Sequence, residues 1–182
     1  TDGAATVDTD GGDGQEAFLS GQIIDLQSHL NVMSLLEAGR VSDVGLRSFG
    51  KLFELLGLPT SELNRMAENL RFAADTSADN RSGGMAALMP RRVEQLTWLG
   101  LSSATAMALR PYVTILPVAT PVNLNTASPE VIAATVPQLG LADAQRLVAE
   151  RENTHFRSLA DASRLIGGAE GQLVEGRHSV AT

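Results

Sequence analysis

The stretch PVNLNTASPEVIAATVPQLG, residues 121–140, decides how the rest of the chain is read. Val122 and Leu124 form a short extended lead-in. Ser128 stands where a helix N-cap accepts a backbone hydrogen bond, and Pro129 follows at the first helical position, where its missing donor costs nothing. Pro137 cannot continue that helix and closes it. LADAQRLVAER then starts a second helix, so the stretch predicts a helical hairpin. FRSLADASRLIGG, residues 156–168, adds a third helix, with Ser158 and Asp161 at capping-box spacing and Gly167 as its C-cap. Leu159, Ala162, Leu165 and Ile166 recur at helical spacing, which packs this helix back on the hairpin.

The hairpin has an echo. LGLADA at 139–144 repeats LGLSSA at 99–104, each copy with a helical stretch before it and another after it. A glycine flanked by leucines just past a helix is the sequence of a left-handed C-cap. Gly100 and Gly140 are therefore both expected at positive φ, as structural turns in a tandem of helical hairpins. Further upstream the apolar residues keep the helical period. Val44, Phe49, Leu52, Phe53, Leu55 and Leu56 form one set, and Leu63, Met66 and Leu70 form the next. Residues 76–85, TSADNRSGGM, read as a loop, and a helix over about 92–99 follows Pro90.

Only one segment breaks the helical pattern. In IDLQSHLNV, residues 24–32, Ile24, Leu26, Leu30 and Val32 alternate with polar residues, the two-residue period of a half-buried strand. His29 falls on the polar side of that strand.

Composition bounds what such a chain does. Its 182 residues are 43% hydrophobic and 19% charged, enough to bury a core. Formal net charge is −7, and residues 1–16 carry five acids and no base, which leaves the body almost neutral with sixteen acids and fourteen bases. That acidic, glycine-rich start reads as a loop or terminus. Its Asp8, Asp10 and Asp13 imitate a calcium loop, but Leu19 occupies the position where an EF-hand needs glutamate. Cysteine is absent, which excludes disulfides, thiolate zinc sites and cysteine nucleophiles. No stretch approaches eighteen consecutive apolar residues.

Helical hairpins of the helix-hairpin-helix kind grip nucleic-acid backbones with N–H groups at a glycine-flanked turn and basic neighbours. Between Pro137 and Ala144 this chain offers one glycine and one charge, the acid Asp143. Arg146, Arg151 and Arg157 lie nearby, interleaved with Glu150, Glu152 and Asp161. An acid at a helix start repels phosphate, so packing is the stronger reading of the hairpin and nucleic-acid binding the alternative. An enzyme has little to build on. His29, His155 and His178 are scattered, no serine sits in a nucleophile elbow, and Lys51 follows a single glycine rather than a phosphate loop.

Taken in order, SGQIIDLQSHLNV, LLGL, LRPYVTILP, PVNLNTAS, FRSLAD and HSVAT resemble type II secretion system protein K, a minor pseudopilin, over about residues 18–181. The pairing of LRPYVTILP with PVNLNTAS, within 109–128, is its specific part. The resemblance implies an α+β fold: a pilin-like antiparallel sheet carrying a large inserted all-α domain of tandem helix-hairpin-helix (SAM-like) units. On that scheme residues 1–33 are the acidic loop and a pilin-like strand. Residues 34–168 are the insertion, in two units of about 34–118 and 119–168, and 169–182 return towards the sheet.

The same resemblance implies a non-enzymatic component at the tip of a secretion pseudopilus, assembled with other minor pseudopilins. It places the protein at the inner membrane of a Gram-negative bacterium, anchored by an apolar helix upstream of this sequence, with this part in the periplasm. Ile24, Leu26, Leu30 and Val32 are the expected partner-binding residues, on an edge strand that offers unpaired backbone groups. The family also carries an acidic stretch associated with calcium. The matching residues here keep only Asp75, Asp79 and Asn80 as candidate ligands, too few for a shell of six or more oxygens, so no metal or cofactor is expected.

Overall fold

A computed structural model describes residues 23–79, 89–167 and 172–182. The acidic residues 1–16, including Asp8, Asp10 and Asp13, lie outside them, as does Asn80. The described residues combine α-helices with two-residue strands, an α+β content.

The first half opens at β1 (Leu30–Asn31) and passes a hairpin of β2 (Leu36–Glu37) with β3 (Arg40–Val41) into α1 (Asp43–Leu56). Ser42 caps α1 by accepting from the Gly45 N–H at 3.2 Å, and Gly57 ends it at φ +67°. The spacing of Phe49, Leu52 and Phe53 puts all three on the face α1 buries completely. At Gly45 the helix touches the Ser34 carbonyl so closely that a Cβ would collide with it. Helix α2 (Thr60–Asp79) buries Leu63, Met66, Leu70 and Ala73 by the same period. A 3-10 helix, Val93–Leu99, then turns at Gly100 (φ +102°) into α3 (Ser103–Leu109). Strand β4 (Val113–Thr114) comes back to lie parallel to β1, with Leu30 beside Val113.

The second half repeats this closure. Strand β5 (Val122–Asn123) leads through the Ser128 cap and Pro129 into α4 (Pro129–Thr135), whose residues 131–135 are all buried. Helix α5 (Leu141–Asn153) follows, then α6 (Leu159–Leu165), held at its start by the reciprocal Ser158 and Asp161 bonds of a capping box. Strand β6 (His178–Ser179) lies parallel to β5, with Val122 beside His178. Helix α1 packs most extensively on α4, and the apolar residues of both halves form one cluster, from Leu30 and Phe49 to Leu124, Ile132 and Leu147.

Two expectations are corrected. The strand expected over 24–32 shrinks to Leu30–Asn31, flanked by 3-10 turns at Leu26–Ser28 and Val32–Leu35. Asp25 accepts from the Gln27 N–H and Asn31 from the Met33 N–H, and these short side-chain bonds compete with a strand ladder. Gly140 is not at positive φ: it lies at −76° as the N-cap of α5, because Pro137 has already ended α4 and the turn precedes the glycine. The boundaries expected at 33/34 and 168/169 each fall between the two strands of a ladder, since β1 pairs with β4 and β6 with β5. Of the segment expected to return towards a pilin-like sheet, the described residues 172–182 supply β6, the partner of β5. Among the described residues the only antiparallel pair is the β2–β3 hairpin.

Candidate functional site

The VNLNTAS segment gathers four distant parts of the chain. Asn125 is 6% exposed, and its amide pairs in both directions with Phe156, accepting from the N–H at 2.9 Å and donating to the carbonyl at 3.0 Å. The same amide donates to the Val180 carbonyl at 3.1 Å. Asn123 donates to Asp25 at 2.9 Å and to the Ala181 carbonyl at 3.1 Å, while the Thr126 hydroxyl donates to Asp25 at 2.6 Å. Burial raises the Asp25 carboxyl, but the bonds from Thr126, Gln27 and Asn123 outweigh it and hold the group below the usual carboxylate range. Half-buried Arg151 donates to the Leu124 and Ala127 carbonyls, both at 2.6 Å. The segment is thus a knot joining the start of the body, α5, the α5–α6 loop and the C-terminal residues. Asn31 does the same work in the first half, donating to the Val118 carbonyl at 2.7 Å and accepting from the Leu116 N–H at 3.2 Å.

His178 is the functional-type residue that sequence reading passed over. It is 2% exposed, its Nδ1 accepts from the Val174 N–H, and its Nε2 meets the Thr135 hydroxyl at 3.1 Å. Thr135 gives its own proton to the Ile132 carbonyl, so the ring carries its hydrogen on Nε2. Burial above all, with Arg177 adding repulsion, pushes the imidazole down to about 4. No local signal marks it, because its hydroxyl partner lies 43 residues away.

The turn between α4 and α5 is closed from outside. Lys51, on α1, donates to the carbonyls of Val136 at 2.7 Å, Pro137 at 3.2 Å and Leu139 at 2.7 Å. Its ammonium faces the negative end of the α4 dipole. At the start of α5, Asp143 pairs with the exposed Arg146 at 3.0 Å. A phosphate approaching this hairpin meets an acid at the helix start and an occupied turn, so the nucleic-acid reading gains no support.

The expected partner-binding residues separate. Leu30 and Val32 are buried in the core, while Ile24 and Leu26 are half exposed, because the chain turns between the two pairs instead of running straight. Of the calcium candidates, Asp75 sits 3.5 Å from Arg71 and Asp79 is the last residue of α2. Two carboxylates one turn apart on a helix fall well short of a calcium shell, and no group of three His, Asp or Glu converges among the described residues. His29 bonds to its neighbour Ser28, and His155 is exposed in a loop. Among the described residues no helix is long and apolar enough to cross a membrane.

Comparison with known families gives two matches, both described as type II secretion system protein K. One model covers residues 28–118 and the other 122–181. No curated protein matches the chain. The two models meet at the connection between β4 and β5 and together take in both helical halves, the asparagine knots and both ladders. The chain belongs to the type II secretion system protein K family and is a minor pseudopilin component of type II secretion.

Proposed function

We propose that the protein is a structural, non-enzymatic subunit at the tip of the secretion pseudopilus, and that it docks on other minor pseudopilins through the start of its described body. One observation carries this reading. Ile23, Ile24 and Leu26 are 99%, 54% and 50% exposed, three apolar residues within four positions, a few residues ahead of the buried Leu30 and Val32. Scattered exposed leucines need no explanation, but three large apolar residues on one short segment favour a partner surface. Asp25, bonded to Thr126 and Asn123, fixes the segment against the body and so lowers the entropy lost on docking.

The helical body is too bulky to repeat along a thin filament, which favours a single copy at its end. On this reading the body faces away from the filament in the periplasm, and an anchoring helix upstream holds the protein in the inner membrane. Calorimetric titration with the soluble domains of the other minor pseudopilins tests the idea. Ile24→Ser combined with Leu26→Ser weakens binding at least about tenfold, the equivalent of ~1.4 kcal/mol. Arg146→Ala combined with Glu150→Ala leaves it unchanged. Loss of binding only in the second variant reverses the assignment of faces, and a parent that binds no partner removes the tip reading.

A further inference from the structure

Lys51 is the sole lysine of the chain, and its ammonium does more than decorate α1. Its three hydrogens meet three backbone carbonyls, those of Val136, Pro137 and Leu139, within 2.7–3.2 Å. All three carbonyls come from the turn that Pro137 forces between α4 and α5, so one short stretch of backbone supplies every oxygen. Such a ring of carbonyl oxygens at a helix C-terminus is the chemistry that replaces the hydration shell of a monovalent cation. Burial pulls the ammonium below the usual lysine range, Glu54 opposes this only at a distance, and among the described residues no carboxylate bonds to it. A neutral ring of this kind suits one positive charge, whereas divalent ions want carboxylates.

We infer that the α4–α5 turn is a monovalent-cation site, with the Lys51 ammonium as its resident cation, tethered to α1. Cutting the tether opens the site to a free ion of similar size and charge, potassium or ammonium. In the parent the tether ties α1, in the first half, to the hairpin of the second, across 85 to 88 residues of sequence. Supplying the cation from a side chain makes that joint independent of the ionic composition of the surroundings. Tetramethylammonium, equally charged but too large to sit among the carbonyls, is the control.

The test compares melting temperatures of the parent and of Lys51→Met, which keeps the aliphatic stem, in potassium, ammonium and tetramethylammonium chloride at one ionic strength. The parent melts at the same temperature in all three. In tetramethylammonium, Lys51→Met melts roughly 4–8 °C below the parent, the size expected for a lost set of charge-assisted bonds. In potassium or ammonium it recovers at least half of that loss. A variant melting identically in all three salts, or as high as the parent in tetramethylammonium, overturns the proposal.

A second measurement stands even if the variant does not fold. Because the chain has one lysine, an amine-reactive ester followed by peptide mass spectrometry reads this ammonium alone among side chains. In the folded parent Lys51 reacts on the order of tenfold or more slower than an exposed lysine, in line with its bonds. Reaction at the free rate overturns the assignment. Neither readout involves a secretion partner, so both are independent of the docking proposal.

Discussion

At the scale of single residues, the body is held by polar side chains that behave like pieces of backbone. Asn125 faces Phe156 with the donor and acceptor pair that a strand neighbour would offer, and Asn31 does likewise at Leu116 and Val118. His178 joins the C-terminal residues to α4 and makes that joint sensitive to acid. Its imidazole titrates near 6.5 when unfolded and at about 4 when folded, so the folded state favours the neutral ring. Stability is therefore complete above pH 6.5 and falls as pH drops towards 4, because the unfolded chain binds the proton first. The gap amounts to about 3 kcal/mol. Urea midpoints at pH 7, 5.5 and 4.5 check this: the parent loses stability across that window, and His178→Gln shows a much flatter profile. Equal slopes remove His178 from the account. Local residues such as Ser128, Ser158 and Asp161 were readable from sequence, because each bonds a helix start within three positions of itself, as was Pro129 at the first turn of α4. His178 and the two asparagines were not, since their partners come from elements that sequence order alone does not bring together.

At the scale of elements, identical letters made different turns. LGL at 99–101 follows a 3-10 helix that runs to Leu99, so Gly100 closes it at φ +102°. LGL at 139–141 precedes a helix, because α4 stopped at Thr135, and Gly140 starts α5 in an ordinary extended conformation. The position of Pro137, not the glycine, decides which role is played. Stability of two variants separates them. Gly100→Ala suffers a strained φ and a Cβ only 2.5 Å from the Arg65 side chain, and costs roughly 1–3 kcal/mol. Gly140→Ala meets open space and loses only the glycine preference at an N-cap, about 0.5–1 kcal/mol. Equal losses in denaturant midpoint mean that the two turns are alike after all. The strand over 24–32 failed for a related reason. Period-two alternation was present in the letters, but Asp25 and Asn31 satisfied nearby N–H groups and bent the chain twice within eleven residues, 25–35. Helix faces read correctly at Phe49, Leu52 and Phe53, where a 3.6-residue period runs over fourteen residues, but not at Leu55 or Leu165, which are exposed.

At the scale of the whole molecule, two helical halves each close with a short parallel ladder and then share one core. Helix α1 of the first half lies on α4 of the second, with Lys51 bonded across the joint. The repeated LGL letters were legible, but the fusion of the two halves was not, because it depends on apolar faces meeting across about eighty residues of sequence. Fusion of this kind demands that the halves unfold together, since neither can leave without exposing the buried face of the other. Trp98 is the only tryptophan and lies in the first half, so its fluorescence reports that half while far-ultraviolet circular dichroism reports every helix. Leu147 is 1% exposed on α5 in the second half, and Leu147→Ala costs about 2–5 kcal/mol. With a shared core, that change lowers the Trp98 transition as far as the dichroism transition, and the two stay coincident. If Trp98 keeps the parent's midpoint while part of the helical signal melts early, the halves are separate cooperative units, and the contact of α1 with α4 is too weak to couple them.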